Sequence, residues 1–469
     1  MKNEEICYTD AVRLAQMIRK KELSPVEVTE AVLARMEALN PKLNAFCAPT
    51  ADLAMESARA AEAAVMAGDN LGPLHGVPFS VKDLALTKGI PSQMGSHIFK
   101  DRVPDRDAAF VPRLREAGGI MLGKTTTPEF GWKALSDCPL TGATHNPWKE
   151  GYSAGGSSAG AGSAVAAGIG PLGQGSDGAG SIRVPSSFCG LFGIKPTFGR
   201  VPNVPLSNND YSSHIGPMTR TVEDAALMLG VMGGPHPLDH TSLPDRPDYL
   251  HGLRQGIRGL RVAYSPDLGY LRVDPEVADA VKAAVAKFED FGCTVEEVNP
   301  GLGDPGDILR LMWNAHYHGL YGSNLPEFES RMDPGLVAAI RDGARYSLAD
   351  YIAARGRKID YVSRMNAFFD RYDLLITPST SVTSFPLHQL NPDHWPQHEW
   401  DWFDWAGFSY PFNFSGNPAS TVPVGFSGEG LPIGMQIAGR RFEDSVVLRA
   451  SACYEEARPW AQHRPPLDN

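Results

Sequence analysis

The chain has 469 residues, 42% of them hydrophobic, with 48 glycines and 38 prolines, which is a globular composition with ample material for a buried core. A formal net charge of −11 argues against nucleic acid or an anionic membrane as the main partner. Six cysteines, Cys7, Cys47, Cys138, Cys189, Cys293 and Cys453, are scattered without C-x-x-C pairs, so neither a disulfide framework nor a zinc site is expected. The opening MKNEEICYTD has no apolar signal core, and no run approaches about 18 uninterrupted apolar residues, so a cytoplasmic location is expected.

In chain order, residues 9–40 predict two helices, one after Thr9 and Asp10 and one opening with the capping box Ser24-Pro25-Val26-Glu27. An Ala-rich helix follows over 51–67. From about residue 72 short apolar strands alternate with helices: VPFSV at 77–81, IMLG at 120–123 and a helix from Ser157 to Gly168 predict an α/β layer around a buried sheet. Thr221 caps a further helix, and the Gly/Pro-rich 233–250 reads as a loop and boundary. Beyond it come strands at 260–265, 293–298 and 374–379 and a helix opened by Asp274-Pro275, whose Val277, Val281, Ala284, Val285 and Phe288 recur at helical spacing. Helical patterns cover 305–321 and 347–370, and ASTVPVGF and GMQIAG return to strands before a helix near 443–457. The expected organisation is a helical bracing segment (1–70), a catalytic core (71–232), an inserted region lining the substrate cleft (233–415) and a return to the core (416–469).

Gly151 to Cys189 is crowded with Gly, Ala and Ser, yet is too apolar in its middle to be a flexible linker. Backbone amides and repeated hydroxyls close together suggest acyl transfer. Two short motifs compete for this stretch. Gly173 to Gly178 fits G-x-G-x-x-G, but the dinucleotide fingerprint needs an acidic residue about 20 positions on, where Lys195 and Pro196 stand. Gly151-Tyr152-Ser153-Ala154-Gly155 fits the nucleophile elbow G-x-S-x-G, with a base such as His214, but HNPWKEG before it is not a β-branched strand.

A longer pattern covers more residues. Gly155-Gly156-Ser157-Ser158, then Gly175-Ser176-Asp177-Gly178-Ala179-Gly180-Ser181-Ile182-Arg183-Val184-Pro185, with Val81-Lys82-Asp83 upstream, resembles the amidase signature family. GKTTTPEF at 123–130, HNPW at 145–148, FCGLFGIKPTFGRV at 188–201 and GNPASTVPVGF at 416–426 extend the resemblance, in family order, over most of the chain. It implies a single α/β domain with a central mixed sheet flanked by helices and an inserted helical region. It further implies Lys82 as base, Ser157 as a bridging serine held through a cis peptide bond and Ser181 as nucleophile, with no metal or cofactor, acting on a small-molecule amide and possible for carbamate and ester bonds.

A serine hydroxyl needs a base within hydrogen-bond reach. A lysine can serve only when neutral, so its pKa must fall from ~10.4, which burial at the end of an apolar strand would achieve. Asp83 points away from Lys82 if the strand continues and is not an obvious partner. The expected oxyanion donors are the backbone N–H groups of Gly178, Ala179, Gly180 and Ser181, exposed on a turn of small residues. Gly178 and Ala179 depart from the family's usual residues, which counts against its glutamine-hydrolysing branch, the glutaminase subunit of a tRNA-dependent amidotransferase. A non-catalytic binding protein of the same fold is the other alternative. Arg183 reads as a buried structural arginine paired with Asp177.

Residues 395–414 hold Trp395, Trp400, Trp402 and Trp405. So many aromatic residues predict an apolar cleft, with Trp400, Trp402 and Trp405 against a bulky or aromatic group of the substrate. His388, His394 and His398 lie nearby in a Pro-interrupted loop and make a weak metal pattern.

Overall fold

Eleven strands, most of them buried on both faces, pair into one mixed sheet in the computed structural model, which describes residues 1–206 and 212–467. They are β1 (Phe46–Pro49), β2 (Pro78–Lys82), β3 (Ile120–Thr125), β4 (Leu172–Asp177), β5 (Phe192–Lys195), β6 (His214–Thr219), β7 (Arg261–Tyr264), β8 (Thr294–Glu297), β9 (Leu374–Pro378), β10 (Ala419–Phe426) and β11 (Pro432–Gly439). Their order across the sheet is β1, β3, β2, β4, β6, β5, β10, β11, β9, β7, β8. Strand β2 runs parallel to β3 and β4, and β7 runs parallel to β8 and β9. The remaining pairings are antiparallel. Helices cover both faces, which is why β2, β3, β9 and β11 are buried along their whole length.

The bracing helices form where capping and apolar spacing place them: Ala11–Arg19, Pro25–Leu43 with a complete Ser24–Glu27 capping box, and Ala51–Ala67. Helix Pro275–Val285 buries Val277, Val281, Ala284 and Val285, and Ser347 caps Leu348–Phe369. The sequence reading did not separate β1, β4, β5 and β6, nor the helices Arg183–Cys189 and Pro334–Gly343. Strand β4, LGQGSD, has poor intrinsic strand propensity, but its neighbours β2 and β6 hold it on both sides, and its glycines admit close packing. A Cβ on Gly173 would lie 3.0 Å from Val165, and one on Gly175 would lie 2.9 Å from Ile182. Among the described residues no helix is long and apolar enough to cross a membrane.

This topology positions the signature residues. Parallel β2 and β4 end side by side, β2 in Lys82 and β4 in Ser176-Asp177, and the chain turns from β4 through Gly178–Ser181 into helix Arg183–Cys189. Ser157 sits in the turn that opens helix Ala159–Ala166 beside them.

Candidate active site

Lys82 is buried at the end of β2, and its Nζ lies 2.7 Å from Ser157 Oγ and 3.1 Å from Ser176 Oγ. The Lys82 backbone N–H donates to Gln174 Oε1 at 3.0 Å, which fixes the strand end against β4. Burial drives the Lys82 pKa well below the ordinary lysine range, with the Asp177 charge acting in the opposite direction. Asp83 does face away: its carboxylate lies 3.6 Å from Lys124 Nζ and accepts from the Gln93 N–H. Lys82 is thus set among hydroxyls without a carboxylate touching it, an arrangement suited to an amine that accepts a proton.

The Gly156–Ser157 peptide bond is cis. The Ser158 N–H donates to the Ser181 carbonyl at 3.2 Å, tying the two serine segments together. Lys82, Ser157, Ser176 and Ser181 open onto one cavity of about 460 Å³. Ser176, absent from the expected site, supplies a second hydroxyl to Lys82. Its place in the Gly175-Ser176-Asp177 run beside the signature was the signal that could have found it.

The loop after β4 is built around Asp177. Its fully buried carboxylate accepts from Arg183 Nε and Nη2, each at 2.9 Å, and from Asn413 Nδ2 at 2.8 Å. Burial alone would raise the Asp177 pKa, but the Arg183 guanidinium and these hydrogen bonds hold it well below the usual carboxylate range. The same carboxylate accepts the Gly180 N–H at 2.7 Å and the Ile182 N–H at 3.2 Å. Gly180 is therefore removed from the expected oxyanion donors, because its N–H points at Asp177. Among the described residues the N–H groups of Gly178, Ala179 and Ser181 are engaged by no acceptor.

Ser153 is buried away from the cavity, where its hydroxyl lies 3.1 Å from Ser136 Oγ and accepts the Gly155 N–H at 3.1 Å. His214 Nδ1 faces the Ser212 carbonyl at 2.8 Å, so no elbow couple forms between these two residues. Of the three loop histidines, His394 pairs with Asp274 at 3.0 Å, and His398 Nδ1 accepts backbone N–H groups of Trp400 and Asp401. Among the described residues no three His, Cys, Asp or Glu side chains converge as a metal site requires.

The aromatic wall comes from a different element than the sequence suggested. Helix Gly306–Tyr321 turns Trp313, His316, Tyr317, Leu320 and Tyr321 toward the cavity, and Phe130 faces them, stacked on Tyr321 with ring centroids 3.8 Å apart. Trp402 and Trp405 are fully buried behind this wall, and Trp400 packs at its edge. None of the three lines the cavity. The reason is that both buried rings have partners in the core: Trp402 Nε1 donates to the Trp132 carbonyl at 3.2 Å, and Trp405 Nε1 donates to the Leu390 carbonyl at 3.1 Å while its ring packs on Phe188 and Phe385. Leu84, Met94, Phe110, Val204 and Ile215 complete an apolar lining in which Lys82 is the one Lys, Arg, Asp or Glu side chain among the described residues.

A large mixed sheet with a buried lysine and serines at the adjoining ends of two parallel strands is an α/β architecture suited to a hydrolase, and Ser153 and His214 form no couple in it. A family model described as Amidase matches residues 27–448. An acylamidase of Rhodococcus erythropolis is 40% identical over 99% of this chain and 98% of its own. A glutamyl-tRNA(Gln) amidotransferase subunit of Moorella thermoacetica is 36% identical over 99% of both chains. The crystal structure of a bacterial aryl acylamidase superposes with a TM-score of 0.91 at 31% identity, covering 97% of each chain. The chain belongs to the amidase signature family, and it is a hydrolase acting on the C–N bonds of amides.

Proposed function

We propose that this chain hydrolyses uncharged, apolar acyl amides, with aryl amides the preferred class, through an acyl-enzyme on Ser181. The observation that carries the reading is the 2.7 Å approach of the buried Lys82 amine to Ser157 Oγ at the foot of an apolar, aromatic-walled cavity that also holds Ser181. Ser181 Oγ attacks the amide carbonyl carbon as its proton passes to Ser157, whose own proton passes to neutral Lys82. The carbonyl oxygen becomes an oxyanion facing the N–H groups of Gly178, Ala179 and Ser181. Collapse breaks the C–N bond, and the departing amine takes a proton back through Ser157 from the Lys82 ammonium. Water then attacks the ester by the same relay, releasing the carboxylic acid and Ser181. A carbamate offers the same carbonyl to the same first step. The segment 233–415 supplies the far wall of the cleft through helix Gly306–Tyr321, whereas the reacting groups all come from 71–232.

Glutamine hydrolysis fits the cavity less well. A free amino acid carries an ammonium and a carboxylate, and among the described lining residues there is no Asp or Glu to meet the first and no Arg to meet the second, while Lys82 is held as the neutral amine. Intact-protein mass spectrometry after incubation with a fluorophosphonate tests the reading. Label should map to Ser181 and form far more slowly in Lys82→Ala. Label on Ser153, or equal labelling without Lys82, would overturn it. Hydrolysis of para-nitroacetanilide far faster than of glutamine is expected from the substrate assignment.

A further inference from the structure

Strand β4 turns alternate residues to one face, and two of them, Gln174 and Ser176, grip Lys82 at the end of β2. Gln174 holds the main chain of the lysine, because its Oε1 accepts the Lys82 N–H at 3.0 Å just beyond the last backbone pairing of the two strands, Val81 with Gln174. Ser176 holds the amine. Its Oγ lies 3.1 Å and its carbonyl oxygen 3.5 Å from Lys82 Nζ, whose third partner is Ser157 Oγ at 2.7 Å. Ser176 is fixed in turn through its own backbone, since Ser158 Oγ donates to its carbonyl at 3.2 Å and accepts its N–H at 3.3 Å.

We propose that Ser176 is a positioning residue for the base: its hydroxyl and carbonyl oxygens accept the two N–H groups of neutral Lys82, which leaves the single lone pair of the amine aimed at Ser157. The inference rests on the relay through Lys82, Ser157 and Ser181 set out under the proposed function.

The reason is a count of donors and acceptors. A neutral amine has two N–H donors and one lone pair, and the relay requires the lone pair to face the proton of Ser157. Both N–H groups must then find acceptors elsewhere. Among the described residues, the acceptors within hydrogen-bond reach of Nζ other than Ser157 Oγ both belong to Ser176, and its carbonyl can only accept. The Ser176 hydroxyl is able to donate as well, but donating to Lys82 would occupy the lone pair and turn an N–H onto Ser157 Oγ, a pose from which no proton can be taken. The two poses act on the amine in opposite senses: an accepting hydroxyl favours the ammonium, whose N–H bonds are the stronger, and a donating one favours the neutral form. In the accepting pose the Ser176 hydrogen turns toward the cavity that this residue lines. The loop itself does not depend on that hydroxyl, because Ser158 holds the backbone.

The test is the rate at which a fluorophosphonate labels Ser181, read by intact-protein mass spectrometry from about pH 5 to about pH 9.5 in the wild type, Ser176→Ala and Ser176→Thr. Alanine should lower the plateau rate roughly tenfold, the size of one hydrogen bond, and should move the midpoint to lower pH by roughly half a unit to one unit, because an acceptor that favours the ammonium is gone. Threonine keeps the hydroxyl and should restore both. The Asp177 carboxylate, the charge that acts on Lys82, stays in place in all three forms. A plateau in Ser176→Ala within about twofold of the wild type, a midpoint that stays or rises, or threonine as slow as alanine overturns the proposal and leaves the relay standing. Where the wild-type midpoint lies below about pH 5, the plateau and the threonine comparison decide it. Label on a serine other than Ser181, or labelling that Lys82→Ala does not slow, would sink the relay and the positioning role together.

Discussion

Gly131 approaches Ser157 so closely that a Cβ on it would stand 2.9 Å from the Ser157 Oγ. The same residue has φ 69°, a conformation in which a side chain is strained by about 1 kcal/mol. Glycine at 131 therefore leaves the bridging hydroxyl free to lie against Lys82.

Gly131→Ala should lower kcat by about a hundredfold, because an ångström of displacement at the relay is costly, while reducing stability only modestly. Steady-state kinetics with an anilide, alongside a thermal melt, checks both halves. Unaltered kcat would mean that the relay does not run through Ser157 Oγ.

Lys82→Met should cost on the order of 10⁴-fold in kcat, the usual scale for loss of a base in such a unit, yet raise the melting temperature. In the unfolded chain Lys82 titrates near ~10.4, and in the fold well below it. Between those two values the unfolded state holds a proton that the native state lacks, so stability rises with pH across that window. Methionine fills the site without this liability. The wild type should accordingly gain activity as pH rises through the folded pKa, and melts of both forms from acid to alkaline pH should converge at the alkaline end.

Asp177→Asn should destabilise the protein by about 3–5 kcal/mol, since it leaves the Arg183 guanidinium buried without its counter-charge. Urea unfolding followed by tryptophan fluorescence gives the difference directly. One of the two oxygens that organise the β4 loop becomes an N–H donor at the same time, so activity should fall even where the variant remains folded.

Tyr321→Ala should shift the ratio of kcat/KM for para-nitroacetanilide over acetamide by about tenfold against the aryl substrate, through loss of the face that stacks with Phe130. Trp405→Ala, by contrast, should destabilise by about 3–5 kcal/mol and leave that ratio within about twofold, as befits a ring packed behind the wall. Competition assays with both amides present distinguish these outcomes.

The helices at 11–19, 25–43 and 51–67 and the strands at 78–82 and 374–378 were legible because caps and apolar runs are local signals. Lys82, Ser157 and Ser181 were legible as candidates for a similar reason, since the signature is carried by short runs of sequence. What escaped reading depended on the direction of a bond or the choice of a face. Nothing in GSDGAGS shows that the Gly180 N–H turns back to Asp177 while its neighbours do not. Trp313, Tyr317 and Tyr321 recur at helical spacing, but spacing does not say whether that stripe meets the core or a cavity. The tryptophans at 400–405 were correctly read as too apolar for a polar surface loop, yet residue count cannot separate a cavity wall from the layer supporting it. Strand β4 was hidden by its glycines, which only the neighbouring strands make tolerable.

The reacting groups come from one contiguous third of the chain, whereas the opposing aromatic helix arrives some 125 residues after Ser181 and meets that third through Tyr317 and Trp313, which donate to the Phe130 and Trp132 carbonyls. Recognition and chemistry can then diversify at different speeds. A new helix at 306–321 changes the kind of amide admitted without rewriting the proton relay, provided that it still offers donors to the carbonyls of residues 130 and 132. The fold works as a fixed engine with an exchangeable intake.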